Sequence, residues 1–169
     1  MSNRRKSATA TRTVMLDRAF RKIVLAVDGP ENSAKAVDLA LTLAASNRVD
    51  LEVVHVSVDT MPIVAPPAFG MPPPVPNTYF ELQQKHEDRM SRWLARIVGL
   101  AEERGINASL NILRPDLSVA EEVTKKASHD GADLIVVGMN DRSTLERLIY
   151  GSTSSAVIKH AECPVLVAR

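Results

Sequence analysis

KIVLAVDGPENSAKAVDLA, residues 22–40, decides the fold. After Lys22 comes an unbroken apolar run rich in β-branched residues, the pattern of a strand covered on both faces. Asp28-Gly29-Pro30 breaks that run, since proline lacks a backbone N–H and glycine lacks a Cβ. Beyond the break, Val37, Ala40, Leu41 and Ala44 fall at i, i+3, i+4 and i+7, the spacing of one helix face. A buried strand, a tight break and an amphipathic helix open a β-α-β unit.

The alternation recurs to the end of the chain. Residues 51–58, LEVVHVSV, predict a second strand. Residues 62–76 hold seven of the ten prolines, which excludes helix and central strand and predicts a long loop of the functional or mobile kind. A long helix is predicted over about residues 78–104. Leu82, His86, Met90, Trp93, Ile97 and Leu100 form its stripe and Gly105 is its stop. A strand near residues 108–113 precedes a helix opening at Ser118, with Glu121 three residues on as in a capping box, and Gly131 ends that helix. LIVVG (134–138) is a buried strand, residues 139–150 a loop, the stretch after Gly151 a short helix, and VLVA (165–168) the last strand. The order βαβαβαβαβ predicts an α/β, Rossmann-like fold. Its sheet is open, mostly parallel and five-stranded, in the order 3-2-1-4-5, with helices on both faces. We see no internal repeat. The expected organisation is a basic, disordered tail over 1–20 and one domain over 21–169 with a Pro-rich loop at 61–77.

Charge and composition remove whole classes of function. Residues 1–22 carry seven basic residues and one acid, a local +6, leaving 14 basic and 19 acidic residues, or −5, in the rest. A mildly acidic body argues against nucleic acid as a partner, and 4% aromatic content supplies little for stacking bases. One cysteine, Cys163, cannot build a disulfide framework. The apolar runs fall far short of the ~20 residues that span a membrane. The Arg-rich first 22 residues have no apolar core of signal-peptide length; a basic tail is favoured over a targeting segment of similar composition. A cytoplasmic protein without membrane contact is expected.

In an open parallel sheet, ligands bind at the carboxyl ends of the strands where the strand order reverses. Three loops therefore matter: residues 28–30, those around Val56, and residues 138–152. Gly138 directly follows a buried strand, and Gly151-Ser152 opens a helix thirteen residues later. Glycine admits a phosphate close to the backbone, the helix start offers unpaired N–H groups, and Ser152 adds a hydroxyl. The same residues equally make a plain turn at Gly138 and an N-cap at Ser152. His55, His86, His129 and His160 lie on separate elements without metal-ligand spacing, and His55 and His86 read as packed or edge residues. Cys163 reads as a small buried hydrophobe. The chain contains no Walker A loop, no G-x-G-x-x-G and no G-x-S-x-G.

IVLAVDGPENSAKAVDLA (23–40) and ADLIVVGMNDRSTLERLIYGSTSSAVIKHAECPVLVAR (132–169) resemble the first and last parts of the universal stress protein family. The resemblance extends over nearly all of residues 21–169. The family's ATP-binding branch carries G-x2-G-x9-G-[S/T], whose positions fall here on Gly138, Asp141, Gly151 and Ser152, three of the four matching. The resemblance implies that Asp28 holds a ribose, that Val56 lines an adenine site, and that Gly138, Gly151 and Ser152 cradle phosphates. Thr153 and Ser154 follow them, and Ala26, Val27 and Val137 are lining residues. It implies ATP as ligand, with Mg or Mn held by the phosphates, and a homodimer through the final strand, Val165–Ala168, whose exposed edge needs cover.

The sequence departs from that branch at Asp141, where the motif has its second glycine, and at Pro30, where the family often has serine. A carboxylate about 6 Å from a phosphate charge costs about 0.7 kcal/mol at water's dielectric and about 3 kcal/mol at an effective dielectric of about 20. That is a loss of about three- to a hundredfold in affinity for each facing charge. Aspartate tolerates a left-handed backbone, so weakened but retained binding is favoured over loss. Two functions follow. One is a stress-response sensor or switch that binds ATP or AMP and hydrolyses slowly at most. The other is a dimeric interaction protein that binds no nucleotide. Adenylyl transfer, a third possibility, lacks its class signatures.

Overall fold

Apolar runs become parallel strands here because helices close over both of their faces. The computed structural model describes residues 20–58, 77–116, 118–139 and 152–169. Within them the chain runs β1 (Lys22–Val27), α1 (Pro30–Asn47), β2 (Asp50–Val56), α2 (Asn77–Glu103), β3 (Ala108–Leu113), α3 (Val119–His129), β4 (Leu134–Gly138), α4 (Ser152–His160) and β5 (Val165–Ala168). The strands form one parallel sheet in the order β3-β2-β1-β4-β5. β1 and β4 pair at its centre, with Ala26 opposite Val137. There the winding reverses, β2 and β3 lying to one side and β5 to the other. The predicted fold class and strand order are those observed.

Alternation along the strands divides the interior in two. Ile23, Leu25, Val27, Leu51, Val53 and Val136 pack with Ala36, Ala40 and Leu41 of α1 and Met90, Leu94 and Ile97 of α2. Val24, Val54, Val56, Ile135 and Val137 pack with Ala120, Val123 and Ala127 of α3 and Val157 of α4. Leu25, Leu41, Leu51, Leu94 and Ile97 are all but fully buried, and each contributes about 2 kcal/mol relative to exposure.

The helix ends follow the local chemistry. Pro30 sits in the first turn of α1, where its missing N–H has no partner to lose. Ser118 caps α3 in a complete capping box: its hydroxyl accepts from the Glu121 N–H while the Glu121 carboxylate accepts from the Ser118 N–H. The expected stops at Gly105 and Gly131 adopt φ of 71° and 65°.

Two expectations fail at their ends. β2 stops at Val56, and Val58, read as strand, is exposed. The stripe of α2 is buried at Met90 and Ile97 and half-buried at Trp93 and Leu100, but Leu82 and His86 are exposed. The cause is length: 27 residues of helix extend about 40 Å, while strands of six or seven residues extend about 20 Å, so the helix outruns the sheet. Residues 1–19 and 59–76, and with them most of the expected tail and Pro-rich loop, lie outside the described residues; Asn77 already belongs to α2. Among the described residues no helix is long and apolar enough to cross a membrane.

Candidate functional site

The carboxyl ends of β1 and β4 meet the first turn of α1. Asp28 follows β1 directly, exposed, and that turn holds it from three directions. The Ser33 hydroxyl donates to Oδ1 at 2.9 Å and accepts the Asp28 N–H at 3.1 Å. The Asn32 side-chain amide donates to Oδ2 at 3.1 Å. Ser33 is 1% exposed, so its hydroxyl spends both of its roles on Asp28. The helix dipole favours a negative charge at this end of α1 as well. The result is an oriented carboxylate, held by neutral donors and open to solvent.

Gly138 ends β4 against the same turn. A Cβ built there would lie 2.5 Å from the Asn32 carbonyl oxygen and 3.4 Å from Ser33 Cα. Backbone cannot yield as a flexible side chain does, so glycine at this position is what lets α1 approach the sheet. The Gly138 carbonyl accepts a hydrogen bond from the Ser154 hydroxyl at 3.0 Å, which ties the first turn of α4 to the end of β4. A hydroxyl has one proton, and in this geometry Ser154 gives it to that carbonyl. Thr153 beside it is exposed, and Ser152 is the first residue of α4. Asp141 and Gly151 lie outside the described residues.

Among the expected lining residues, Ala26, Val56 and Val137 come together in the core under α3 and α4. Val27 does not join them, because its side chain belongs to the opposite core with α1 and α2. Its carbonyl accepts a hydrogen bond from His55 Nδ1 at 2.9 Å. A carbonyl can only accept, so that ring nitrogen carries the hydrogen. His55 thus stitches the ends of β2 and β1 together beside Asp28, while the other expected packed histidine, His86, stands in solvent.

A charge cluster outside the three expected loops lies at the amino end of the sheet. Glu52, 1% exposed within β2, is flanked by Lys22 Nζ at 2.7 Å and Lys126 Nζ at 2.7 Å, and accepts from the Asn111 amide at 2.7 Å. Lys126 also bonds Asp130, which lies 3.6 Å from Lys22 and 2.8 Å from His129 Nδ1. The Lys126 ammonium, helped by His129, holds the Asp130 carboxyl well below the usual carboxylate range. Burial pulls the Lys126 ammonium down, but its bonds to Asp130 and Glu52 outweigh that and raise it above its ordinary value. A glutamate inside a strand covered on both faces was the available signal, since such a charge needs a partner. A polar cleft nearby is lined by Arg21, Ser128, Asp133, Glu162 and Cys163; burial pushes the Cys163 thiol up. Among the described residues no group of three or more His, Cys, Asp or Glu side chains is arranged to hold a metal.

Comparison with known proteins gives the arrangement its relatives. Residues 19–169 match the universal stress protein family. A universal stress protein of Methanocaldococcus jannaschii is 31% identical over 150 residues, covering 89% of this chain and 82% of its own. Universal stress protein YxiE of Bacillus subtilis is 30% identical over 151 residues, covering 89% and 99%. The crystal structure of a universal stress protein family member from Burkholderia pseudomallei superposes with a TM-score of 0.63 at 26% identity, over 88% of this chain and 96% of that one. A family protein from Arabidopsis thaliana, solved with AMP bound, gives 0.61 at 20% identity over 88% and 90%, a likeness of fold. Sequence, strand order and relatives agree: the chain belongs to the universal stress protein family.

Proposed function

We propose that this chain is a nucleotide-binding stress-response module that takes an adenine nucleotide, ATP or AMP, at the crevice between β1 and β4. One observation carries the reading: Asp28, exposed where the strand order reverses, is oriented by Ser33 and Asn32 without its charge being cancelled. Ligands of open parallel sheets bind at that point, and a fixed carboxylate is the acceptor that a pair of ribose hydroxyls calls for. Half-buried Ala26, backed by the core residues Val56 and Val137, would supply an apolar floor on one face of the sheet. Phosphates would go toward the start of α4, where Ser152 opens a helix with unpaired N–H groups. A family relative from Arabidopsis thaliana holds AMP; that relative shares the fold, and the residues of this chain carry the argument.

Mg or Mn would arrive on the phosphates, given the donor set of the described residues. The role is binding rather than turnover. Of the groups at the crevice, His55 is spent on the Val27 carbonyl, and Asp28, oriented by α1, is assigned to the ribose. Two copies would pair along Val165–Ala168, the edge strand of the sheet, in the cytoplasm. Isothermal titration with Mg-ATP tests the reading. Heat of binding at up to millimolar nucleotide is expected, and its absence with folded protein overturns it.

Asp141 favours a second reading, a dimeric interaction protein whose loop carboxylate excludes phosphate. Asp141→Gly separates the two. If the wild type is silent and the variant binds Mg-ATP, the second reading stands. If the wild type binds and the variant gains about three- to a hundredfold, the first does.

A further inference from the structure

The first turn of α1 touches both halves of the crevice. Toward β1, Ser33 and Asn32 hold the two oxygens of Asp28 at 2.9 and 3.1 Å. Toward β4, the Asn32 carbonyl and Ser33 Cα stand where a Cβ on Gly138 would need room, at 2.5 and 3.4 Å. Resting on the proposed function, we infer that Asn32 and Ser33 are positioning residues that fix Asp28 for the hydroxyls of a ribose. Gly138 serves the site through them, by leaving space for their backbone, rather than by admitting a phosphate.

An ionised carboxylate offers about four acceptor positions. Ser33 and Asn32 each occupy one, on different oxygens, which stops the group from rotating and leaves the other positions in fixed directions. Two vicinal hydroxyls are donors that such a group suits. Ser33 is 1% exposed and so acts through Asp28 rather than by touching a ligand. A methyl group at residue 138 must displace the Asn32 carbonyl, a backbone atom of the helix that carries the clamp. The damage would then be read at the ribose.

The test compares ATP with 2′,3′-dideoxy-ATP by isothermal titration, on the full chain and on Ser33→Ala, Asn32→Leu and Gly138→Ala, with thermal melting as a check of folding. The wild type is expected to prefer ATP by about tenfold or more. Each variant is expected to lose about tenfold toward ATP but under about twofold toward the dideoxy nucleotide, so that the preference collapses. For Gly138→Ala the loss should be the same for AMP and ATP. Asn32 is half-buried, so Asn32→Leu gives the answer if Ser33→Ala does not fold. A wild-type preference that survives both Asn32→Leu and Ser33→Ala overturns the inference and leaves nucleotide binding standing. So does a wild type that binds both nucleotides equally. A Gly138→Ala loss that grows from AMP to ATP, and is equal for the dideoxy nucleotide, returns that glycine to the phosphates. A wild type that binds no nucleotide overturns the proposed function and the inference with it.

Discussion

Glu52 within β2 and Asp28 just past the end of neighbouring β1 are carboxylates that the protein holds in opposite ways. Glu52 is 1% exposed, at the amino end of the sheet, between two lysine ammonium groups and the Asn111 amide. Asp28 is exposed, past the carboxyl end of β1, between a serine hydroxyl and an asparagine amide. Ammonium groups cancel a charge and lock it in place; neutral donors give it a direction and leave it available. The first arrangement suits a brace between β1, β2 and α3. The second suits a ligand. On the proposed function the two ends of one sheet divide the work, the amino end bracing the fold and the carboxyl end presenting Asp28 to a ligand.

The sharpest way to break that contrast is Glu52→Ala. It strips the shared partner from Lys22 and Lys126 and is expected to cost about 3 kcal/mol in urea unfolding, with nucleotide affinity unchanged. The same cluster makes stability depend on pH. Asp130 titrates below its ordinary 3.8 when folded, so its contribution is complete above that pH and is lost as pH falls beneath it. Lys126 titrates above its ordinary 10.5, so its contribution is complete below that pH and is lost as pH rises past it. Unfolding free energy measured against pH should fall on both sides, and Asp130→Asn should flatten the acid side.

Asp28→Ala should do the reverse of Glu52→Ala. We expect about 2 kcal/mol lost from nucleotide affinity, about thirtyfold by titration, with stability within about 1 kcal/mol of wild type. Equal losses in both measurements would dissolve the distinction between the two carboxylates. The smallest effect belongs to Ser118→Ala, remote from Asp28. Loss of the N-cap should cost about 1 kcal/mol in unfolding and nothing in binding.

How far sequence alone reaches differs between these regions for a physical reason. β1, β4 and β5 are legible to the residue because each is a continuous apolar run, whereas β3, the edge strand ASLNIL, mixes polar and apolar residues and buries none of them fully. The capping box at Ser118 was legible because its partners are three residues apart. Asp28 stood out as the polar residue that ends β1, and its clamp lies within five residues. The Glu52 cluster joins residues 22, 52, 111, 126 and 130, which no local pattern connects. Gly138 was read as a glycine that something approaches, and the approaching group, the Asn32 carbonyl, became visible with the packing of α1. Along α2 the periodicity holds, but a periodicity does not say where the sheet beneath it ends, so the stripe runs on through Leu82 and His86 past a core that stops short of them.

That overhang divides α2 into two mechanical regimes. From Met90 to Ala101 the helix is bolted to the core by Met90, Leu94, Ile97 and Ala101, and its amides should exchange with solvent deuterium about as slowly as those of the central strands. Ahead of Met90, Leu82 and Phe80 are 66% and 57% exposed, and none of those turns contributes to either core among the described residues, so they should fray at lower cost. The helix is a cantilever. Its leading arm, outside the described cores, can change sequence without unfastening the sheet that carries Asp28.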